Sequence, residues 1–411
     1  GILNRALDNI FGDSFSFVPN TKDKDLNSAA KAYIERRMKA DVCDAAGVSD
    51  FLTMCRTSIR GVWNDGDSML VFRPDGSMIP FEADQIVNPS GRPAGPDSTI
   101  VMGVEMNRLG RPLKYHVSQR PESGKRTTTK TVSPSNVLFP AYRTRHGQTR
   151  GWSYLGACMS IFERLDGFID WETFAAELNA RATMKITRQL SEETPDGTET
   201  NKDTDTNSTF SKVEKMEGGE VFDLLDGEDI AFVESARPGP EFSNYITTVA
   251  RIVGAAVGFP LELLMLDFSK TSWSSGRLGM EEARRTFRYW QRFAGVTITE
   301  PWYDRQIRRG IATGELAADE RLFNHTTHWA TWPYIQPLQA AQANQIQIAN
   351  RTKTRSEVIR EQNKTPEEVF DESEAEEKDL ARRGIPAHII PQAEPIDTGG
   401  NSGGNTDNPE Q

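Results

Sequence analysis

The side chains able to do chemistry are scattered along this chain rather than gathered. Of the five histidines, His116, His146, His325, His328 and His388, only His325 and His328 lie close together, in Asn-His-Thr-Thr-His-Trp. Two imidazoles on one helical turn could hold a metal ion, but the aromatic surroundings favour packed or capping histidines, and no metal is expected. An acidic run over 367–379, containing Glu374 and Glu376, could in principle build a divalent-metal nuclease cluster. Carboxylate runs on helices are more often solvated faces. Cys43, Cys55 and Cys158 are odd in number and lack a C-x-x-C spacing, so buried reduced thiols are expected rather than a disulfide framework or zinc site. There is no P-loop, G-x-S-x-G elbow, H-E-x-x-H helix or dinucleotide fingerprint. The expectation is a protein that is not an enzyme and uses no cofactor.

The stretch around which the rest is organised is 241–292. Phe242, Tyr245, Ile246, Val249, Ile252, Val253, Ala256 and Val257 keep the three-and-four spacing of a helix face, which Gly258 and Pro260 stop. Next comes a polar loop of Asp267, Phe268, Ser269, Lys270, Thr271, Ser272, Trp273, Ser274 and Ser275. Its short polar side chains compete for backbone hydrogen bonds, so helix is expected to resume only near Ser275. The following helix carries Arg284, Arg288 and Arg292 four residues apart, with Arg285 beside them. That stripe could meet phosphate, an acidic neighbouring subunit or water; the formal net charge of -11 favours the acidic neighbour. Lys270 and Trp273 could touch DNA transiently, or Trp273 could anchor the loop to the apolar helix.

The elements that would position this stretch follow from pattern. Residues 1–20 suggest a peripheral arm with one short helix. A helix with a basic side is expected over 26–43, and a second after Ser49 as N-cap, ending near Gly61. From 61 to 142, short apolar runs separated by Asp75-Gly76, Leu109-Gly110 and similar clusters predict a small antiparallel sheet of hairpins, with an exposed tip over 120–135. Leu155, Met159, Phe162, Leu165, Ile169, Phe174 and Leu178 predict a helix to about Ile186, roughly 45 to 50 Å long. Residues 194–211 are too polar to order themselves and should be a mobile loop between strand-like runs at 184–186, 220–222 and 230–233. Helix is expected again over 297–311 and 338–350. Capping boxes at Thr354/Glu357 and Thr365/Glu368 should open two more helices before a disordered tail.

At 411 residues the chain exceeds what one core serves, so two or more lobes are expected. Its 37% hydrophobic and 26% charged residues suit a soluble globular protein. No apolar stretch approaches the ~20 residues of a membrane span, and the N-terminus has no signal-peptide pattern, so no membrane partner is expected. The acidic balance argues against tight nucleic-acid grip, because phosphate contacts need surplus cations, but not against DNA sliding past.

The order of pieces resembles the lambda-like group of tailed-bacteriophage portal proteins. The resemblance rests on Cys43-Asp44 with Gly47, on Asn64-Asp-Gly-Asp67, and on Gly147-Gln148 with Arg150-Gly151-Trp-Ser-Tyr-Leu155. It also rests on Ile252-Val-Gly-Ala-Ala-Val-Gly-Phe-Pro260, Ser272-Trp-Ser-Ser-Gly-Arg277 and Pro337-Leu-Gln-Ala-Ala. Trp273 stands where the family usually has another aromatic, commonly Tyr. The likeness implies an α+β, predominantly helical subunit in a ring of about twelve copies at one capsid vertex of the virion, assembled in the host cytoplasm. Double-stranded DNA would pass through the central channel during packaging and ejection. Partners would be the major capsid protein, the terminase large subunit and the head-tail connector. By this analogy residues 1–25 form an arm, 26–171 and 280–335 a wing, and 172–181 and 239–258 two stem helices. Residues 182–238 would be the clip, 259–279 the tunnel-loop region, 336–390 the crown and 391–411 a tail. Gly147, Gln148, Arg150, Gly151, Gly258 and Pro260 would be structural signatures. The alternatives from other classes are the metal-dependent nucleic-acid enzyme and a capsid or connector scaffold without a channel.

Overall fold

The computed structural model describes residues 1–89, 95, 97–119, 128–180, 184–188, 228–232, 241–269, 271–332, 337–362 and 364–385. Lys270, the segments 194–211 and 220–222, and the tail lie outside the described residues. The chain divides into two units, Gly1–Ile335 and Gln336–Gln411.

The fold is mixed α/β and predominantly helical. The first unit begins with α1 (Ile2–Phe11), β1 (Ser16–Pro19), α2 (Lys24–Arg37), α3 (Ala40–Cys43) and α4 (Phe51–Asp65). Strands β2 (Met69–Phe72), β3 (Met78–Phe81), β4 (Ser98–Val101), β5 (Val104–Asn107), β6 (Pro112–Gln119), β7 (Thr128–Val132) and β8 (Val137–Leu138) follow. Then come α5 (Met159–Ala180), β9 (Met184–Arg188), β10 (Glu228–Phe232), α6 (Glu241–Val257), α7 (Leu261–Met265), α8 (Trp273–Ala294), α9 (Glu300–Thr313) and β11 (His325–His328). The second unit holds α10 (Pro337–Ala349), α11 (Arg355–Glu361) and α12 (Pro366–Arg382).

The main core is aromatic. Phe11, Phe51, Trp63, Phe287, Trp290, Trp302 and Tyr303 are fully buried, with Phe51 stacked on Trp302 at 3.9 Å and Trp63 against Trp290 at 5.2 Å. The first twenty residues are not a peripheral arm. α1 buries Ala6, Leu7, Ile10 and Phe11, and the Gln291 side-chain amide donates to the Ile10 and Ala330 carbonyls at 2.8 and 3.2 Å. β1 pairs antiparallel with β11, Ser16 opposite His328 and Pro19 opposite His325. The two histidines therefore sit on a strand, not on a helical turn; the His325 ring stacks on Tyr303 at 3.7 Å. Among the described residues no His, Cys, Asp or Glu group is arranged to hold a metal.

Several helix ends differ from expectation for local reasons. The helix expected over 26–43 breaks at Met38 into α2, whose N-cap Asp23 accepts from the Asp25 and Leu26 amides, and the single turn α3. Asp50 rather than Ser49 caps α4, accepting from Thr53 N–H at 2.8 Å. α4 passes through Gly61 and stops at Gly66, which has φ 101°. Gly61 is there for close approach: a Cβ would lie 3.2 Å from the Ser68 Cβ. α5 starts after a 3-10 turn over Tyr154–Cys158 and ends at Ala180, about 33 Å of helix, because Met184 already opens β9. Between α8 and α9, Gly295–Thr299 is a π-helical turn.

The expected small sheet is two antiparallel sheets, ordered β3-β2-β8 and β4-β5-β6-β7. Gly76 and Gly110 take the positive φ that their hairpin turns require. Of the span expected as an exposed tip, residues 120–127 lie outside the described residues and Thr128–Val132 form β7, pairing Thr131 with His116 and Val132 with Tyr115. Met69, Phe81, Ile86, Val104, Tyr115 and Val117 form a smaller core between the sheets. β9 and β10 pair from Met184 opposite Phe232 to Arg188 opposite Glu228.

In the second unit, Thr354 and Glu357 form the expected capping box. Thr365 makes no side-chain cap bond, although Pro366 opens α12 as anticipated. The acidic run is exposed and pairs partly with itself, Lys378 with Glu374 at 2.5 Å and Arg383 with Asp379 at 2.7 Å. That is a solvated helix face rather than a convergent carboxylate cluster. All three cysteines are buried free thiols; burial, then Asp44, pushes Cys43 up to about 12, which keeps it protonated and unreactive. No described helix is long and apolar enough to cross a membrane.

Candidate functional site

The segment from α6 to α8 folds as a tight return. Val249, Val253, Gly254 and Val257 bury one side of α6. Gly254 lets the chain come back on itself: Phe259 N–H donates to its carbonyl at 2.8 Å, and a Cβ there would sit 2.5 Å from the Phe259 oxygen. Gly258 has φ +75°, with Thr286 of α8 filling the space a side chain would need. Pro260 then caps α7 and touches the position of Gly279 on α8. The Arg5 guanidinium, reaching from α1, donates to the Leu263 carbonyl at 2.8 Å and also bonds Leu264.

The loop beyond α7 is organised by its own side chains. Asp267 accepts from Ser269 N–H at 3.0 Å, Thr271 N–H donates to the Phe268 carbonyl, and the Thr271 hydroxyl donates to Glu262 at 2.7 Å. Met265, Leu266 and Phe268 are exposed. Ser272 is the N-cap of α8, accepting from Ser275 N–H at 3.3 Å. Helix therefore begins at Trp273, two residues earlier than expected, and Trp273, Ser274 and Ser275 form its first turn. The serine cluster favours a cap as much as a coil, and the cap won.

The arginine stripe is not uniform. Arg284 is largely covered and pairs with Glu281 at 2.9 Å, and its guanidinium lies 5.8 Å from the Trp332 ring. Arg288 and Arg292 are exposed, and so is Arg285, which pairs with Glu282.

A second assembly ties sheets to helices through residues far apart in sequence. Arg150 meets Asp67 in a bidentate pair, Nε to Oδ2 and Nη2 to Oδ1, both 2.7 Å. Asp67 is 1% exposed. Arg150 also donates to the carbonyls of Ala83, Ile86 and Met102 at 2.8, 3.1 and 3.0 Å, while Gly151 N–H donates to Asp67. Gly151 lies against Gly66 so closely that a Cβ would fall 1.7 Å from the Gly66 oxygen. Gln148 accepts from the Thr144 amide at 3.0 Å, and Gly147 faces open space. Asp44 plays a similar part in the loop between α3 and α4: its carboxylate accepts from the Ala46, Val48 and Ser49 amides at 3.0, 3.1 and 3.0 Å. Burial would raise its pKa, and the three amides outweigh that and hold it below the ordinary value. The pairing of Asp67 with Arg150 was not visible in sequence; both residues stood in motif blocks, but nothing in the spacing joined them.

The family described as phage portal protein, lambda family, matches residues 1–291. The chain belongs to that family. The match takes in the Arg150 assembly, the α6–α8 return and the stripe to Arg288. A curated relative, the probable portal protein of Halomonas phage phiHAP-1, is 21% identical over 379 residues, covering 89% of this portal chain and 73% of the relative. Among solved structures, a chain from the neck of an empty gene transfer agent particle, computed with C6 symmetry, is 13% identical over 88% of this chain and 90% of that one, with a TM-score of 0.47. A chain from the neck of the native particle, computed with C12 symmetry, is 14% identical over 89% and 94%, with a TM-score of 0.43. The family is one of phage portal proteins, which is a structural role. Among the described residues of the α6–α8 loop, Asp267 holds a turn, Thr271 bonds Glu262 and Ser272 caps α8.

Proposed function

We propose that this portal chain is one subunit of a ring, of about twelve copies, that surrounds a DNA channel at one vertex of the capsid. The observation that carries the proposal is the helical hairpin of α5 and α6. Phe168 of α5 stacks on Phe242 of α6 at 5.7 Å and meets Tyr245 at 4.2 Å. The chain between these helices forms the β9–β10 pair. A helix pair leading to a small sheet suits a channel wall with a docking tip. On this reading 172–181 and 239–258 are stem helices and 182–238 the clip facing terminase and later the head-tail connector. Residues 26–171 and 280–335 are the wing held by the Arg150–Asp67 pair, and 336–390 is the crown. The loop after Met265, in which Asp267, Phe268, Ser269 and Ser272 are exposed, approaches DNA together with the turn Trp273–Ser275. Its hydroxyls and apolar side chains offer weak contacts, and the acidic balance of the subunit keeps DNA mobile.

Mass determination of the purified oligomer, with negative-stain images, tests the ring. A monomer or an assembly without a central hole would overturn it. Deleting residues 270–274 tests the loop: empty heads that still form support a DNA-facing role, and normal packaging removes it.

A further inference from the structure

Two long helices of the first unit carry opposite charge on exposed faces. On α5, Glu163, Asp166, Asp170 and Glu177 recur at spacings of three, four and seven residues, so they share one side of the helix, and all four are exposed. Met159 and Phe174, 60% and 56% exposed, lie on that same side. An open depression of about 720 Å³ runs beside the stripe, lined by Phe162, Glu163, Asp166 and Ile169. On α8 and the turn after it, Arg285, Arg288 and Arg292 share a side with Leu278, Tyr289 and Val296, which are 73%, 52% and 56% exposed. No ion pair joins the two stripes within the chain among the described residues.

We infer that the arginine side of α8 in one copy docks on the carboxylate side of α5 in the next copy. The proposal rests on the ring reading and names the surfaces that close it. Charge sets the partner: an exposed row of carboxylates repels its own kind and attracts the arginine row. The flanking apolar side chains supply area that water would otherwise cover. Because two different faces meet, the contact is head to tail, which is the kind that generates a ring when its rotation closes. Arg284 is largely covered between Glu281 and Trp332 and belongs to the subunit's own packing, so the contact uses the exposed Arg285, Arg288 and Arg292.

The test uses the full chain and two charge reversals, Asp166→Lys with Asp170→Lys on α5, and Arg288→Glu with Arg292→Glu on α8. Each pair alone is expected to abolish the ring peak by mass photometry while leaving the circular dichroism of the subunit unchanged. An equimolar mixture of the two proteins is expected to recover it, because alternating copies put opposite charges at every junction. A variant pair that keeps the wild-type ring overturns the proposal. So does a mixture that stays dispersed while both parts are folded. A wild-type protein that forms no ring refutes the ring reading itself, which is a separate outcome.

Discussion

Arg150→Ala should be among the costliest single substitutions in the first unit. Removing the guanidinium leaves the Asp67 carboxylate, 1% exposed, with Gly151 N–H as its remaining hydrogen bond, and it strips a donor from the carbonyls of Ala83, Ile86 and Met102. Breaking a buried pair by deleting one partner costs about 3–5 kcal/mol, because the surviving charge is neither solvated nor paired. The carbonyls of Ala83, Ile86 and Met102 lose a donor at the same time, so the cost is expected toward the top of that range. Replacing both members, Asp67→Asn with Arg150→Met, removes the orphaned charge and should cost less than Arg150→Ala alone, a non-additivity that exposes the coupling. Urea unfolding followed by tryptophan fluorescence reads the effect, since Trp63 and Trp290 are fully buried in the adjoining core. An Arg150→Ala midpoint within about 1 kcal/mol of wild type, at unchanged slope, would refute the reasoning. So would a double variant as damaged as the single one.

Other outcomes follow from the same geometry. Gly151→Ala drives a Cβ into the Gly66 backbone and should cost at least the upper end of the roughly 1–3 kcal/mol of overpacking, whereas Gly147→Ala, which faces open space, should leave the melting temperature unchanged. Phe51→Ala empties the stack on Trp302 and should cost about 3–5 kcal/mol in the same denaturation assay; a near-neutral result would move the centre of the core elsewhere. The Asp44 pKa is depressed in the folded state, so its stabilisation is complete above the ordinary carboxylate value of about 3.9 and is lost as pH falls through the lower folded value. The stability gap between wild type and Asp44→Asn should therefore close in acid, below about pH 4, in melts run across pH.

The helix face of α6 was legible because one periodic stripe names one buried side, and Val249, Val253 and Val257 are buried as the spacing required. Residues 1–20, with no long period, suggested only a peripheral arm, yet α1 buries Ala6, Leu7, Ile10 and Phe11. What buries it stands on α4 and α8, far along the chain, and no local pattern reports a distant partner. The pattern points to Ser49 as the cap of α4, where the adjoining Asp50 serves, and to helix resuming near Ser275, whereas Ser272 caps a helix that starts at Trp273. Gly61 misled because a glycine allowing close approach looks in sequence like one ending a helix. The arginine stripe was legible as a stripe, but the cover over Arg284 depends on Trp332, which spacing cannot reveal. The Arg150–Asp67 pair shows the same limit, since an ion pair 83 residues apart exists only once both sheets and α4 have folded.

The closure of α1 and β1 onto α8 and β11 also sets a schedule for synthesis. Ile10 waits for Gln291, and Ser16 waits for His328. At about 5–20 residues per second, a ribosome needs roughly 15–60 s to make the intervening chain. Throughout that interval α1 can pack on α4 but not on α8, and β1 lacks its strand partner, and such exposed surface promotes aggregation. Contacts this distant in sequence also slow folding once the chain is free. The first twenty residues are therefore where a chaperone, or a slower rate of expression, should have its largest effect on yield.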